Sequence, residues 1–176
     1  MASFVDQVEV RQTYPDGKRD DLQAAELKLF FTRTSKWNAG DDGVAPTGAG
    51  TESMAFEPAS IEALGSPVVL TAQSHDAAAV GGRLYMNLIS RTITLEQSEE
   101  VTLTYQGAEI NATTIQYTLP PKGSNQRVGT MTASGDGRMR AVVDPNIPHQ
   151  ILDVSWMDAM NVVRRDGQPV VVLDGR

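Results

Sequence analysis

The feature that most constrains this chain is its period-two alternation of apolar and polar residues, which puts every second side chain on one face of an extended strand. In "AELKLFFTRT" Leu27, Leu29 and Phe31 share a face, with Lys28 opposite. In "EVTLTYQ" Val101, Leu103 and Tyr105 alternate with Thr102, Thr104 and Gln106, and "RTITLEQ" does the same with Ile93 and Leu95. Threonine is the recurrent partner, as expected of a β-branched polar side chain on the wet side of a half-buried strand. The pattern predicts an antiparallel sheet.

Turn chemistry supports this. Asp-Gly occurs five times, at Asp16-Gly17, Asp42-Gly43, Asp136-Gly137, Asp166-Gly167 and Asp174-Gly175. Both residue types tolerate the positive φ of a twist-matched hairpin turn. Three hairpins are expected, through "PDGK" at 15–18, "SGDG" at 134–137 and "DG" at 166–167. A fourth turn, "QSEE" at 97–100, is expected to join "RTITL" to "VTLTY". About ten strands result, and the fold class is all-β: an antiparallel sandwich or barrel, jelly-roll-like or immunoglobulin-like.

One or two short helices are expected. "EPASIEALGS" has Pro58 at a first-turn position and Gly65 as a stop. "SWMDAMNVV" places Trp156, Met160 and Val163 at helical spacing, although a strand through "ILDVSW" competes for the same residues. The organisation expected is a single β-rich domain over 1–176, with long irregular loops at 34–57 and 119–129. The double proline of "LPPKGSNQRVG" must end a strand, and a sub-boundary near 120–126 is an option. The first loop, "TSKWNAGDDGVAPTGAGTES", is too poor in apolar residues to offset the entropy of ordering it, which suits a segment ordered by a neighbour.

Composition narrows the chemistry. The formal charge of -7 disfavours partners that need a basic footprint, so neither nucleic acid nor an anionic membrane is expected. The chain has no cysteine, which excludes disulfides, thiolate metal sites and thiol nucleophiles. "MASFVDQVEV" lacks the basic and apolar regions of a secretory signal, so synthesis in the cytoplasm is expected.

No catalytic constellation emerges. Ser74, His75 and Asp76 are adjacent, but triads are assembled from distant segments, and consecutive strand residues point to opposite faces. The paired glycines of "AAAVGGRL" open no helix, and "KGSNQRVGT" lacks the end of a phosphate-binding loop. Asn111 starts an "NAT" sequon and reads as strand. Asp41 and Asp42 could hold calcium weakly, but the alternating ligand pattern of a calcium loop is absent. No metal, cofactor or catalytic residue is therefore expected.

The remaining candidates are surface contacts. Trp37 is a loop aromatic of the kind enriched at interface hot spots, and Asp41 and Asp42 follow it. Arg138 and Arg140 alternate along one strand face, where they could meet acids on a neighbouring subunit. Near the C-terminus, "PVVVLDGR" could pair within the sheet or add to the edge of another. The expectation is a non-enzymatic structural or assembly protein, a symmetric homo-oligomer contacting neighbouring structural proteins. Cysteine-free, acidic, threonine-laden β-proteins with small-residue loops recur among tailed-bacteriophage virion components, so a capsid-decorating, neck or tail subunit is the setting expected. The alternative is a monomeric β-sandwich that binds a glycan or small ligand.

Overall fold

The computed structural model describes residues 1–35, 54–121, 123–124, 129–142, 147 and 150–174. Eleven strand segments account for the regular structure: β1 (Ala2–Thr13), β2 (Arg19–Ser35), β3 (Met54–Ala72), β4 (Ala77–Asn87), β5 (Thr92–Tyr105), β6 (Ala108–Thr118), β7 (Thr130–Ser134), β8 (Gly137–Val142), β9 (Ile151–Trp156), β10 (Ala159–Arg165) and β11 (Gln168–Asp174). All pairings are antiparallel, and β1 through β7 follow one another in the sheet in chain order. The all-β class is as expected from the alternation. Its connectivity is an up-and-down meander rather than the Greek key of jelly-roll and immunoglobulin sandwiches.

The registers show that some of these segments are parts of longer strands. Both β7 and β8 pair with β6, β7 against residues 114–118 and β8 against 108–111. They form one path interrupted at Gly135-Asp136. β9 and β10 form a second path, pairing with β8 and β7 in a single unbroken register around Met157-Asp158. The Gly135 N–H donates to the Asp158 carbonyl at 2.9 Å and carries the ladder across the gap.

The same interruption crosses the whole sheet. The register shifts between Val5 and Val8 of β1, between Gln23 and Glu26 of β2, between Leu64 and Val68 of β3, between Val80 and Arg83 of β4, and between Glu96 and Val101 of β5. These breaks lie side by side and form a crease. Its residues suit a bend: Gly65, Gly81 and Gly82 have no Cβ, Pro67 has no N–H for the ladder, and Gly135 has φ +83°. In β1 the bend is made by Asp6 and Gln7, both at positive φ.

Several expectations fail at this crease. The "SGDG" segment does not reverse the chain but bulges one strand path. "QSEE" lies inside β5, so "RTITL" and "VTLTY" are two halves of one strand. The helix expected at 57–66 is the middle of β3, and Gly65 bends the strand instead of ending a helix. The helix over 155–163 is the join of β9 and β10, where the competing strand reading prevails. In each case cross-strand pairing outweighs weak local helix signals. The expected hairpins through 15–18 and 166–167 are present, the latter with Asp166 and Gly167 both at positive φ.

On either side of the crease one sheet face is apolar along its full width. Beyond it, one row runs Phe4, Leu27, Ala63, Leu84, Leu95, Ile115, Ala133, Met160 and Leu173, each paired with the next. The next row outward runs Ala2, Leu29, Ile61, Met86, Ile93, Tyr117, Met131, Val162 and Val171. Before the crease, a row runs Val10, Leu22, Leu70, Ala79, Leu103, Ile110, Met139 and Val154. Buried residues from both sides form one cluster, so the bent sheet closes on a single core as an all-β sandwich or barrel does.

Candidate functional site

The rows beside the crease hold most of the buried residues. Leu27, Ala63, Leu84, Leu95, Ile115, Ala133 and Met160 lie next to it and are all buried. On the other side Ala24, Val68, Val101, Ala112 and Trp156 are buried as well. One row further out, Leu29, Ile61, Met86, Ile93 and Met131 only pack partly against this core. On the other side the second row still buries Ala79, Ile110 and Met139, so the row from Leu29 to Met131 is the more open of the two.

Burial falls towards the two sides of the sheet. Phe4 and Val10 on β1 keep 49% and 43% of their surface exposed, although both belong to inner rows. At the other side Leu152 on β9 is 44% exposed, and Val171 and Leu173 on β11 are 45% and 44% exposed. Singly exposed hydrophobics are ordinary, but here five inner-row ends are uncovered together. Their backbones are also open. Among the described residues β1 pairs only with β2, β11 only with β10, and β9 only with β8. Open sheet edges are templates for another strand.

The outer face carries ion pairs alongside the exposed Val5, Val80, Val142 and Ile151. Arg83 reaches Glu62 and Glu96, both at 2.8 Å, and lies 5.8 Å from the Tyr85 ring centre. Arg11 pairs with Glu9 and Asp21, and Arg19 also pairs with Asp21. The Arg11 hydrogen bond keeps the Asp21 carboxyl below the usual carboxylate range despite its partial desolvation. A shallow concavity of about 500 Å³ at the crease is lined by Ser66, Gly82, Arg83, Glu96, Gln97 and Thr114. Its charged groups are already paired with each other, and it brings no nucleophile to a base.

Ser74, His75 and Asp76 form the turn between β3 and β4. Ser74 Oγ donates to Asp20 at 2.6 Å, the Ser74 N–H donates to Asp20 at 3.1 Å, and Tyr14 Oη donates at 2.8 Å. Burial raises the Asp20 carboxyl, but these bonds outweigh it and leave it below its ordinary value. This is a clasp between two turns. Among the described residues no cluster of histidine and carboxylates is arranged to hold a metal.

Arg138 and Arg140 do share the outer face of β8, as the alternation implies. Their partner lies within the chain: Arg138 grips Asp153 of β9 with two nitrogens, and Arg140 Nε is 3.5 Å from the same carboxylate. Trp37, Asp41 and Asp42 lie outside the described residues. Sequence reasoning missed Phe4, Val10 and Leu152, whereas the stretch that holds Val171 and Leu173 was already read as available to another sheet edge. Their signal was the same alternation continued into the edge strands, where core-type residues have no neighbour to cover them. No family model matches the chain, and no curated protein is significantly similar to it.

Proposed function

We propose that this chain is a non-enzymatic assembly protein that joins other sheets through its open edges. The observation that carries this reading is the coincidence of unpaired edge backbone with half-exposed inner-row hydrophobics on both sides of the sheet. A strand added to such an edge satisfies backbone groups and extends the apolar rows in one step. Completing the burial of each of these side chains is worth about 1 kcal/mol. A decoration, neck or tail subunit of a tailed phage is the setting that composition favours for such behaviour.

The test is the mass of the protein in solution, by light scattering over a wide concentration range. Discrete oligomers or concentration-dependent growth are expected, with a shift to monomer in a Phe4→Ser, Leu173→Ser double variant that keeps its β circular dichroism. A strict monomer at every concentration would overturn the proposal.

The partly buried row from Leu29 to Met131 favours a second reading, in which this apolar wall receives the hydrocarbon part of an amphiphile. Partly exposed Met86 and Met131 on this wall suit such a role, because methionine adapts to irregular apolar shapes. The few aromatics argue against the glycan version of a binding module. Saturable, stoichiometric uptake of a fluorescent fatty acid, abolished by Met131→Glu, is the expected result. Absence of uptake ends this reading.

A further inference from the structure

Resting on the edge-assembly reading, we infer that the neighbour is a second copy of this chain. Its β9 edge docks on the β1 edge, with Val10 opposite the partner's Val154 and Arg11 opposite the partner's Asp153. Three observations lead there. The first is polarity. From β1 through β6 and on to β8 and β9, every neighbouring pair is antiparallel, and the seven steps leave β1 and β9 running in opposite directions. A copy placed head to tail therefore continues the antiparallel sheet without reversing a strand.

The second is register. The crease must run on from one copy to the next if the apolar rows are to stay continuous. The row beside the crease ends in Val8 on one edge and Trp156 on the other, and the next row ends in Val10 and Val154. Aligning the rows pairs residues 8–13 with 156–151. Val8 then meets the partner's Trp156, Gln12 meets the partner's Leu152, and Thr13 meets the partner's Ile151. Arg11 falls opposite the partner's Asp153, an opposite-charge cross-strand pair.

The third is charge. Residues 8–13 and 19–24 carry three carboxylates (Glu9, Asp20, Asp21) against two guanidiniums (Arg11, Arg19), a net of -1. Segments 137–142 and 151–156 carry two guanidiniums (Arg138, Arg140) against one carboxylate (Asp153), a net of +1. Joining unlike edges brings opposite signs together, whereas joining like edges opposes equal signs. Past the crease β11 covers β10, so the joint uses only the near half of β1. The positive φ of Asp6 and Gln7 kinks β1 at that point, which lets residues 2–5 diverge from β11. A joint between unlike edges is heterologous, and repeated it gives a ring or a filament.

The absence of cysteine makes the test direct. Val10→Cys and Val154→Cys are prepared as separate proteins in the full chain, mixed and mildly oxidised. A disulfide-linked dimer that forms in the mixture and in neither protein alone is the expected result. Formation of 10–10 or 154–154 dimers at equal yield overturns the joint while leaving edge assembly in place. So does a wild-type oligomer that gives no crosslink in the mixture. A wild-type monomer with no crosslink removes both. Salt supplies an independent reading. Raised ionic strength weakens association, because edges of opposite sign meet. Association that strengthens with salt, with the β circular dichroism intact, counts against the pairing.

Discussion

Replacing Gly137 by alanine is expected to destabilise the fold by about 3 kcal/mol, far more than one methyl group ordinarily costs. Gly137 is paired with Trp156 across β8 and β9. A Cβ built there would overlap Cζ2 and Cε2 of the Trp156 ring and sit 2.6 Å from the Asn111 carbonyl oxygen. The carbonyl belongs to the β6 ladder and is held in place, so the ring must leave. Trp156 is only 6% exposed and belongs to the main cluster, so its retreat loses core contacts. Overpacking alone costs about 1–3 kcal/mol, and complete loss of a buried aromatic about 3–5 kcal/mol. Partial displacement of the ring falls where the two ranges meet. With a urea m-value of about 2 kcal/mol per molar, the midpoint should fall by about 1.5 M. Urea titration followed by far-ultraviolet circular dichroism measures this without relying on tryptophan emission. Gly17→Ala is the control: its φ is +84° and nothing lies within 4 Å, so only backbone strain of about 1 kcal/mol is added. If the Gly137 variant lost no more than the Gly17 variant, the packing of Trp156 against β8 would be refuted.

Two further outcomes follow from the same geometry. Met160 is fully buried in the row beside the crease, so Met160→Ala should cost about 2–5 kcal/mol in the same titration, and a loss below 1 kcal/mol would mean the core there is not packed. Asp20, Asp21 and Asp153 all have carboxyl pKa values lowered from an ordinary 3.8. Groups depressed in the folded state contribute stability above their unfolded value, and this is lost as pH falls through the folded one. The thermal unfolding midpoint should therefore drop on acidification below about pH 4, and Asp20→Asn should flatten that limb. An unchanged acid limb in the variant would remove Asp20 from the account.

The strands were legible because their side chains alternate, and the alternation survives in the paired rows from Phe4 to Leu173. What was not legible is that the chain bends without turning back. Gly65, Gly81-Gly82, "QSEE", "SGDG" and "SWMDAM" read locally as a helix stop, a glycine pair, two turns and a helix start. In the structure all of them lie on the crease. A breaker residue signals departure from regular geometry but not whether the chain reverses afterwards; only the partner strands decide that. The edges were half legible: the C-terminal strand reads as available for pairing, but exposure of Phe4 and Val10 depends on β1 being outermost, a property of strand order. Arg138 and Arg140 were placed on one face correctly, and their partner Asp153 was hidden because β9 lies 15 residues from Arg138 in sequence.

The crease also divides the information that each strand must carry. In an ordinary strand one inserted or deleted residue flips every later side chain to the opposite face. Here the residues at the crease need not match in number between neighbours. Four residues of β5, 97–100, stand against the single residue 113 of β6, whereas 135–136 and 157–158 match two for two. Slack is thus already taken up at the crease, and each half-strand keeps its own register. Length changes there spare the pattern of both faces, and the apolar rows on either side are left as they are.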